Sequence, residues 1–225
     1  MRGVLINGYD TANLWGLIMN QKIISQPEPK TNYVQVPGRD GDIDMTQALT
    51  GLVNYNPRTA DFLFLLMDGS HEDREELLGE IIGKLHGQQV TIVDEDDHPG
   101  YYMTGRLKVT GTENNGAYGQ IAMEVICDPF RYALDERSIS TIITGGGITK
   151  TIRIENGGYR TLCPNVSVSG AVTLNYSAFA TGTAVTKELT AGDYMLSDLM
   201  LPPGMTTVTA SGSGTITITY REAVF

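Results

Sequence analysis

The sequence predicts a mostly β protein in two parts: an N-terminal α+β domain with one helix, and a C-terminal all-β sandwich. Three observations support this prediction. A single segment, in the first half, has clear helical periodicity. Short runs rich in Thr, Val, Ile and Tyr recur between glycine-containing turns in the second half. The chain has 225 residues, 41% of them hydrophobic, which is enough for one large domain or two small ones with packed cores.

Charge is distributed unevenly along the chain. The formal net charge is −10. Residues 1–137 hold 21 acidic and 11 basic residues, whereas the chain from Ser138 onward holds five of each. We therefore expect two units with different surroundings. An acidic first half also argues against binding to a nucleic-acid backbone, which requires a basic face.

We predict an N-terminal domain over residues 1–137, a linker over 138–147 that ends in a glycine triplet, and a C-terminal sandwich over 148–225. No stretch approaches the roughly 20 apolar residues of a membrane span, so we expect no membrane insertion. The N-terminal sequence lacks the features of a signal peptide. Because nothing indicates export, we expect Cys127 and Cys163, one in each half, to be reduced and buried.

The first half contains one hairpin signal and several longer strands. Tyr33–Val36 precedes the turn sequence PGRDG, and Asp42–Met45 alternates between polar and apolar residues after it. The strongly apolar segment Thr59–Asp68 indicates a strand buried on both faces. Further strands are predicted at Leu14–Met19, Gln89–Val93, Tyr101–Thr110 and Tyr118–Cys127.

The helix is predicted over Glu72–His86. Ser70 is a plausible N-cap with Asp73 three residues later, and Gly87 follows as the end signal. The apolar residues fall on one face: Leu77, Leu78, Ile81, Ile82 and Leu85. Gly79 and Gly83 lower helix propensity, by about 1 kcal/mol each relative to Ala, so we expect them to mark a close contact with the sheet.

Several strands are predicted in the second half, and no helix. Their ranges are Thr149–Glu155, Val166–Val168, Val172–Tyr176, Ala184–Leu189, Tyr194–Leu196, Thr206–Thr209 and Thr215–Arg221. In the last of these, Ile216, Ile218 and Tyr220 share one face and three threonines share the other. This alternation is typical of a half-buried strand in a sandwich.

No segment carries a local catalytic signature. The histidines His71, His86 and His98 are not spaced to pair on zinc. The triplet Gly145–Gly147 leads into Ile-Thr-Lys, not into the Lys-Ser/Thr of a phosphate-binding loop. We therefore predict that the protein is not an enzyme and has no catalytic residue, cofactor or metal ligand.

The first of two acidic clusters lies on the predicted hairpin. Asp40, Asp42 and Asp44 have the spacing that begins an EF-hand loop. That loop requires Gly at its sixth position and Glu at its twelfth, where this chain has Met45 and Gly51. The simpler interpretation is a solvated hairpin face.

The second acidic cluster consists of Asp94, Glu95, Asp96 and Asp97, ahead of a Pro-Gly turn. An exposed loop between strands is the simplest interpretation. A divalent cation site is the alternative, since carboxylate oxygens suit hard cations.

Aromatic residues allow one further candidate site. Trp15 lies in an apolar stretch and is predicted to pack in the core. In the second half, Tyr159, Tyr176 and Tyr194 are candidates for stacking against a sugar, although packing in the core or at its rim is the ordinary role of such residues.

A series of segments, in order, resembles a known family. The first half contains VPGRDGDID at 36–44, VNYNPRTADFLF at 53–64, YYMTGRLKV at 101–109 and CDPFRY at 127–132. The second half contains IENGGYRTLCPNVSVSG at 154–170 and SGSGTITITYREAVF at 211–225. Together these resemble the distal tail proteins of long, non-contractile-tailed bacteriophages. The resemblance implies a β-barrel-like α+β domain with one helix, followed by a galectin-like all-β sandwich.

The resemblance also implies a structural function in the virion tail tip, with assembly in the bacterial host cytoplasm. Members of the family form a homo-hexameric ring between the tail tube protein and the tail-tip hub or tail-associated lysin. Their C-terminal domains can hold receptor-binding proteins of the baseplate, and genomic DNA passes through the ring without specific binding.

On this basis two acidic segments become candidates for the ring interface or its lumen. The hairpin candidates are Arg39, Asp40, Asp42 and Asp44. The loop candidates are Asp94, Glu95, Asp96 and Asp97. An acidic wall would keep DNA from adhering during ejection, since like charges repel.

Two other functions stay open at this point. The C-terminal sandwich could be a carbohydrate-binding module for host cell-wall glycans, using the three tyrosines named above. A small cell-envelope hydrolase is a third reading, because catalytic residues can be brought together in space without a local motif.

Overall fold

The computed structural model describes residues 3–49 and 51–225. They divide into two compact units: unit 1 extends to Arg131 and includes Phe225, and unit 2 is Tyr132–Val224. The structure is 51% strand and contains one helix within the described residues. The predicted mostly β class is therefore confirmed.

The structure corrects the predicted linker. The division falls between Arg131 and Tyr132, ahead of the predicted boundary at residue 137. Residues 137–144 form a strand of unit 2 instead of a connection. They do so because Ile143 is buried in the core of unit 2 and Ile139 packs against that core. The acidic excess stays with unit 1, since residues up to Arg131 contain 19 acidic and 10 basic residues.

Unit 1 is built on one curled antiparallel sheet with the strand order β2-β1-β7-β8-β9-β6-β3. A separate hairpin, β4–β5, forms its own two-stranded sheet. The strands of unit 1 are β1 (Leu5–Ile6), β2 (Tyr9–Asp10), β3 (Ile18–Ile24), β4 (Tyr33–Val34), β5 (Ile43–Asp44), β6 (Arg58–Leu66), β7 (Gln89–Val93), β8 (Tyr101–Asn114) and β9 (Gly119–Cys127).

The helix α1 spans His71–Leu85 and closes the core of unit 1. The predicted cap is present: the N–H of Asp73 donates to Oγ of Ser70, and the N–H of Ser70 donates to the Asp73 carboxylate. This reciprocal capping box satisfies two N–H groups that a helix start leaves unpaired. The expected contact of Gly79 and Gly83 with the sheet is wrong, because an added Cβ at either position would meet open space.

Strand β6 shows how the sequence positions the core of unit 1. Its side chains alternate, and Phe62 and Phe64 are almost completely buried in the cluster that also contains Trp15. The same period-2 alternation carries back to Arg58, which is 1% exposed. The strand therefore places a charged side chain on the buried face of the sheet.

Unit 2 is one sheet of seven strands with no helix among its residues. Its central path is β15-β14-β17-β13-β16, and β11 and β12 also pair with β17. These strands are β11 (Arg137–Thr144), β12 (Lys150–Asn156), β13 (Asn165–Val168), β14 (Ala171–Ser177), β15 (Ala184–Leu189), β16 (Gly192–Met195) and β17 (Gly204–Tyr220). Two short strands remain, β10 (Arg131–Ala133) and β18 (Ala223–Val224).

The long strand β17 is the spine of unit 2, and it replaces two predicted strands. Its first half pairs with β12 and β14, and its second half pairs with β11 and β13. Buried residues from both halves, such as Val208 and Ile218, belong to a single core. The sheet therefore bends along β17 to enclose that core.

Glycines mark the bend. The inward-facing positions of β17 continue through Gly212 and Gly214, whose φ angles are +113° and +143°. A Cβ on Gly212 would lie 2.3 Å from the carbonyl oxygen of Ala171, and one on Gly170 would lie 2.2 Å from that of Ser213. Side chains are excluded where the backbones approach so closely, which is how glycine permits a sharp bend in a sheet.

Candidate functional site

The predicted hairpin forms an exposed arm, defined here as residues 31–49. Within it only Ile43 and Thr46 are half-buried, and the other side chains are exposed. Tyr33 pairs with Asp44 and Val34 with Ile43, which confirms the hairpin. At the base of the arm, the N–H of Lys30 donates to the carbonyl of Asn54 at 2.8 Å.

The four predicted arm residues are solvent-accessible. Arg39, Asp40 and Asp42 lie in the turn region, and Asp44 lies on β5. The Asp44 carboxylate accepts the N–H of Thr46 at 2.8 Å, and hydrogen bonds from Thr46 hold the pKa of Asp44 below its usual value. All four side chains are therefore accessible for contacts with another molecule.

Apolar side chains of the arm are exposed as well, and the sequence analysis did not single them out. Leu49 is 99% exposed, and others are 39–57% exposed: Tyr33, Val34, Val36 and Met45. An arm that presents apolar side chains away from any core is a common feature of surfaces that another protein covers. The signal in the sequence that indicates them is the apolar content on both sides of the turn.

The acidic loop is divided by the fold. Asp94 is 4% exposed and forms an ion pair with Lys22 of β3, which also pairs with Asp97. Although burial opposes its charge, hydrogen bonds from Lys22 to both carboxylates raise the pKa of this lysine. Only Glu95 and Asp96 keep the exposed, uncommitted character predicted for the whole cluster. Asp94 is thus a buried residue of unit 1, because strand β7 carries it onto the inner face.

The alternative of a divalent cation site at this loop gains no support. No group of three or more His, Cys, Asp or Glu side chains placed to hold a metal ion occurs among residues 3–49 and 51–225. The Asp94 and Asp97 carboxylates are instead occupied by the Lys22 ammonium group.

The three candidate sugar-stacking tyrosines lie in different environments. Tyr159 is 67% exposed. Tyr176 is buried in the core of unit 2, and its hydroxyl donates to Oδ1 of Asp198 at 2.6 Å. Tyr194 is half-buried, and its hydroxyl donates to the carbonyl of Thr190 at 3.0 Å. Tyr176 has no free face for a sugar, so only Tyr159 presents an exposed ring.

The sequence did not predict the burial of Arg58, Arg74 and Arg131 or the half-buried position of Lys22 in unit 1. Arg58 could have been found, because the alternation R-T-A-D-F-L-F places it on the same face as Ala60 and Phe62. Arg131 and Lys22 give no comparable signal, since their burial depends on strands that are distant in sequence.

None of the helices described is long and apolar enough to cross a membrane.

Comparison with solved structures identifies the fold. The crystal structure of SPP1 Dit superposes with a TM-score of 0.70, covering 98% of this chain and 99% of that chain at 15% sequence identity. The chain has the fold of a phage distal tail protein. The resemblance to this family and the mostly β fold are therefore confirmed over nearly the whole chain, and the galectin-like form of the second part stays a prediction.

SPP1 Dit is described as a paradigm of the hub adsorption apparatus in phages that infect Gram-positive bacteria. No protein-family model matches this chain, and no curated protein matches it. At 15% identity the likeness to SPP1 Dit concerns the fold, because individual side chains differ at most positions.

Proposed function

We propose that this chain is a structural component of a phage tail tip that forms a homo-hexameric ring between the tail tube protein and the tail-tip hub. The observation that carries the proposal is the likeness to SPP1 Dit, which includes both units and leaves almost no part of either chain unmatched. The role is scaffolding without catalysis, in the virion, after assembly in the host cytoplasm.

The arm supplies the proposed ring contact. A cyclic ring uses a heterologous interface, in which one surface of each subunit meets a different surface of the next. A protruding segment suits this geometry, because it can reach a neighbour while the core of its own subunit stays intact. The exposed apolar residues of the arm, with Leu49 as the extreme case, would then be buried in the ring.

The ring is tested by measuring the mass of the purified chain with light scattering across concentrations, together with negative-stain imaging. We expect hexamers, or smaller species that close into rings at high concentration. A strictly monomeric particle at every concentration contradicts the proposal, and long stacked tubes would indicate a tube protein instead.

The arm is tested with matched substitutions. Leu49→Asp and Val34→Asp should shift the population towards monomers, since each places a charge in an apolar contact. Met195→Asp is the control, because Met195 is 70% exposed on unit 2, outside the arm. Equal effects of the arm and control variants would exclude the arm as the ring contact.

Acidic residues of unit 1 would line or flank the channel for genomic DNA. Among the candidate residues, Asp40 and Asp42 on the arm and Glu95 and Asp96 on the loop are exposed. Substituting each pair by Lys should slow DNA ejection from assembled virions, because DNA would adhere to a basic wall. Unchanged ejection kinetics for both variants would show that these acidic residues do not line the channel.

Unit 2 is proposed to dock a receptor-binding or other baseplate protein. The exposed ring of Tyr159 favours a second candidate, a carbohydrate-binding module for cell-wall glycans. A glycan array probed with the full chain and with Tyr159→Ala distinguishes the two. Specific binding that Tyr159→Ala abolishes supports the module, and absence of binding supports protein docking alone.

A further inference from the structure

Two buried arginine side chains of unit 1 have nitrogens without hydrogen-bond acceptors. Arg58, at the start of β6, is 1% exposed, and Arg131 is 5% exposed. All three side-chain nitrogens of Arg58, and Nε of Arg131, are buried without a partner in the described part of the chain. A buried charged donor without an acceptor is costly, so native proteins rarely leave one unmatched.

Arg74 provides an internal comparison. It is 4% exposed, similar to the other two, yet each of its three nitrogens has an acceptor. Nη1 donates to the carbonyl of Gly69 at 2.7 Å, Nε to Oδ1 of Asn114 at 3.1 Å, and Nη2 to the carbonyl of Asn115 at 3.0 Å. The chain therefore supplies an acceptor for each side-chain nitrogen of this buried arginine.

The carboxylates that attract Arg131 are also engaged by another cation. Asp94 and Asp97 attract Arg131 electrostatically, and both are ion-paired with Lys22. Burial and then the like charge of Arg131 lower the pKa of Arg58 to about 10.

Cys127 and His98 also lie close to the two arginines and carry no negative charge. Burial raises the pKa of Cys127 to about 11, so its thiol is neutral. Burial and then the charge of Arg131 lower the pKa of His98. Of these groups, Lys22, Arg58 and Arg131 are cations, and Asp94 and Asp97 are the carboxylates that attract Arg131.

We infer that Arg58 and Arg131 bind a small inorganic oxyanion of the phosphate or sulfate class. Guanidinium groups match the oxygen geometry of such anions and donate two parallel hydrogen bonds to them. The burial of Arg58 favours a small ion over a larger side chain of another protein. This inference does not depend on the proposed role in a phage tail.

Binding is tested by calorimetric titration of the full chain with sodium phosphate, and separately with sodium sulfate, at constant ionic strength. We expect saturable binding of one anion per chain. Arg58→Met should abolish binding. Arg58→Lys keeps the charge but loses the paired N–H donors of the guanidinium group, so it should weaken binding at least about tenfold. Arg153→Met is the control, because Arg153 is exposed on β12, and it should bind as the wild type does.

Stability supplies a second measurement that does not rely on heats of binding. In buffer without oxyanions, Arg58→Met should melt at or above the wild-type temperature, since it replaces an uncompensated buried charge by an apolar side chain. Phosphate should then raise the melting temperature of the wild type and of Arg153→Met more than that of Arg58→Met. Comparing these shifts in melting temperature separates specific binding from the general stabilisation of folded proteins by phosphate and sulfate.

Three outcomes would overturn the inference. The first is the absence of saturable binding up to about 100 mM of either anion, which corresponds to a binding free energy weaker than about −1.4 kcal/mol. The second is an equal response of the wild type and Arg58→Met to phosphate. The third is a large loss of stability in Arg58→Met without oxyanion, which would show that Arg58 has an acceptor within the protein.

Discussion

The carbonyl oxygen of Ala171 packs directly over Gly212 at the bend of β17. A Cβ at position 212 would lie 2.3 Å from this oxygen, which is closer than non-bonded atoms approach. The backbone at Gly212 also has φ of +113°, a region that residues with a side chain rarely adopt. The enclosed core of unit 2 thus depends on the absence of a side chain at one position.

Gly212→Ala should destabilise unit 2 strongly. Backbone strain of about 1–3 kcal/mol adds to an overpacking cost of similar size. Hydrogen exchange followed by mass spectrometry should show lower protection in β11–β14 and β17, and unchanged protection in β6 and β9, because the two units have separate cores. Wild-type protection in β17 would contradict the proposed role of the bend.

The same strand shows where sequence reasoning succeeds and where it ends. Thr206–Thr209 and Thr215–Arg221 were predicted as strands from their alternation, and both lie within or overlap β17. The glycine-rich segment between them predicts a turn. Its alternation in fact continues through Gly212 and Gly214, but period-2 patterns are invisible where the inward side chain is a hydrogen atom. The distinction requires the partner strands, which are distant in sequence.

Gly79 and Gly83 present the opposite case. Both lie on exposed positions of α1, and a Cβ at either would contact nothing within 4 Å. Gly79→Ala and Gly83→Ala should each stabilise unit 1, by up to about 1 kcal/mol, because alanine is the better helix former. Urea unfolding monitored by fluorescence of Trp15, the single tryptophan and a core residue of unit 1, provides the measurement.

A loss of stability in either glycine variant would instead indicate a contact at that helix face. The ring proposed above offers a direct check, since a neighbouring subunit could approach there. In that case the variant should be destabilised only under conditions that favour oligomers, and its monomer should gain stability as expected.

The candidate site was partly predictable for a similar reason. The hairpin follows from local turn chemistry, so its charged residues were placed correctly on an exposed arm. The environment of the acidic loop does not follow from local sequence, because the burial of Asp94 depends on Lys22, 72 residues away in the sequence. The local sequence therefore predicts equal exposure for all four consecutive acidic side chains, Asp94 to Asp97.

Lys22→Met should destabilise unit 1 by about 3 kcal/mol or more, because it leaves the buried carboxylate of Asp94 without its cation. Lys108→Met is the matched control, since Lys108 is exposed on β8, and should change stability by less than about 0.5 kcal/mol. Trp15 fluorescence in urea measures both. Similar values for the two variants would mean that the ion pair contributes little.

The Lys22 ion pair should also give unit 1 a specific alkaline limit. The folded-state pKa of Lys22 lies above its ordinary value of 10.5. Its contribution is therefore complete below that pH and is lost as pH rises through the folded-state pKa. Wild-type stability should fall more steeply than that of Lys22→Met above about pH 10.5. Parallel pH profiles would contradict the raised pKa.

The two cysteines should differ sharply in reactivity. Both are free thiols, but Cys127 is 1% exposed whereas Cys163 is half-buried. Burial raises the pKa of Cys127 to about 11 and raises that of Cys163 as well, so neither is a ready thiolate at neutral pH. Access then decides the order of reaction, and iodoacetamide should label Cys163 at least about tenfold faster than Cys127 in peptides analysed by mass spectrometry. Rapid labelling of Cys127 in native conditions would mean that unit 1 opens locally at the end of β9, which would also give solvent a path to the neighbouring Arg58.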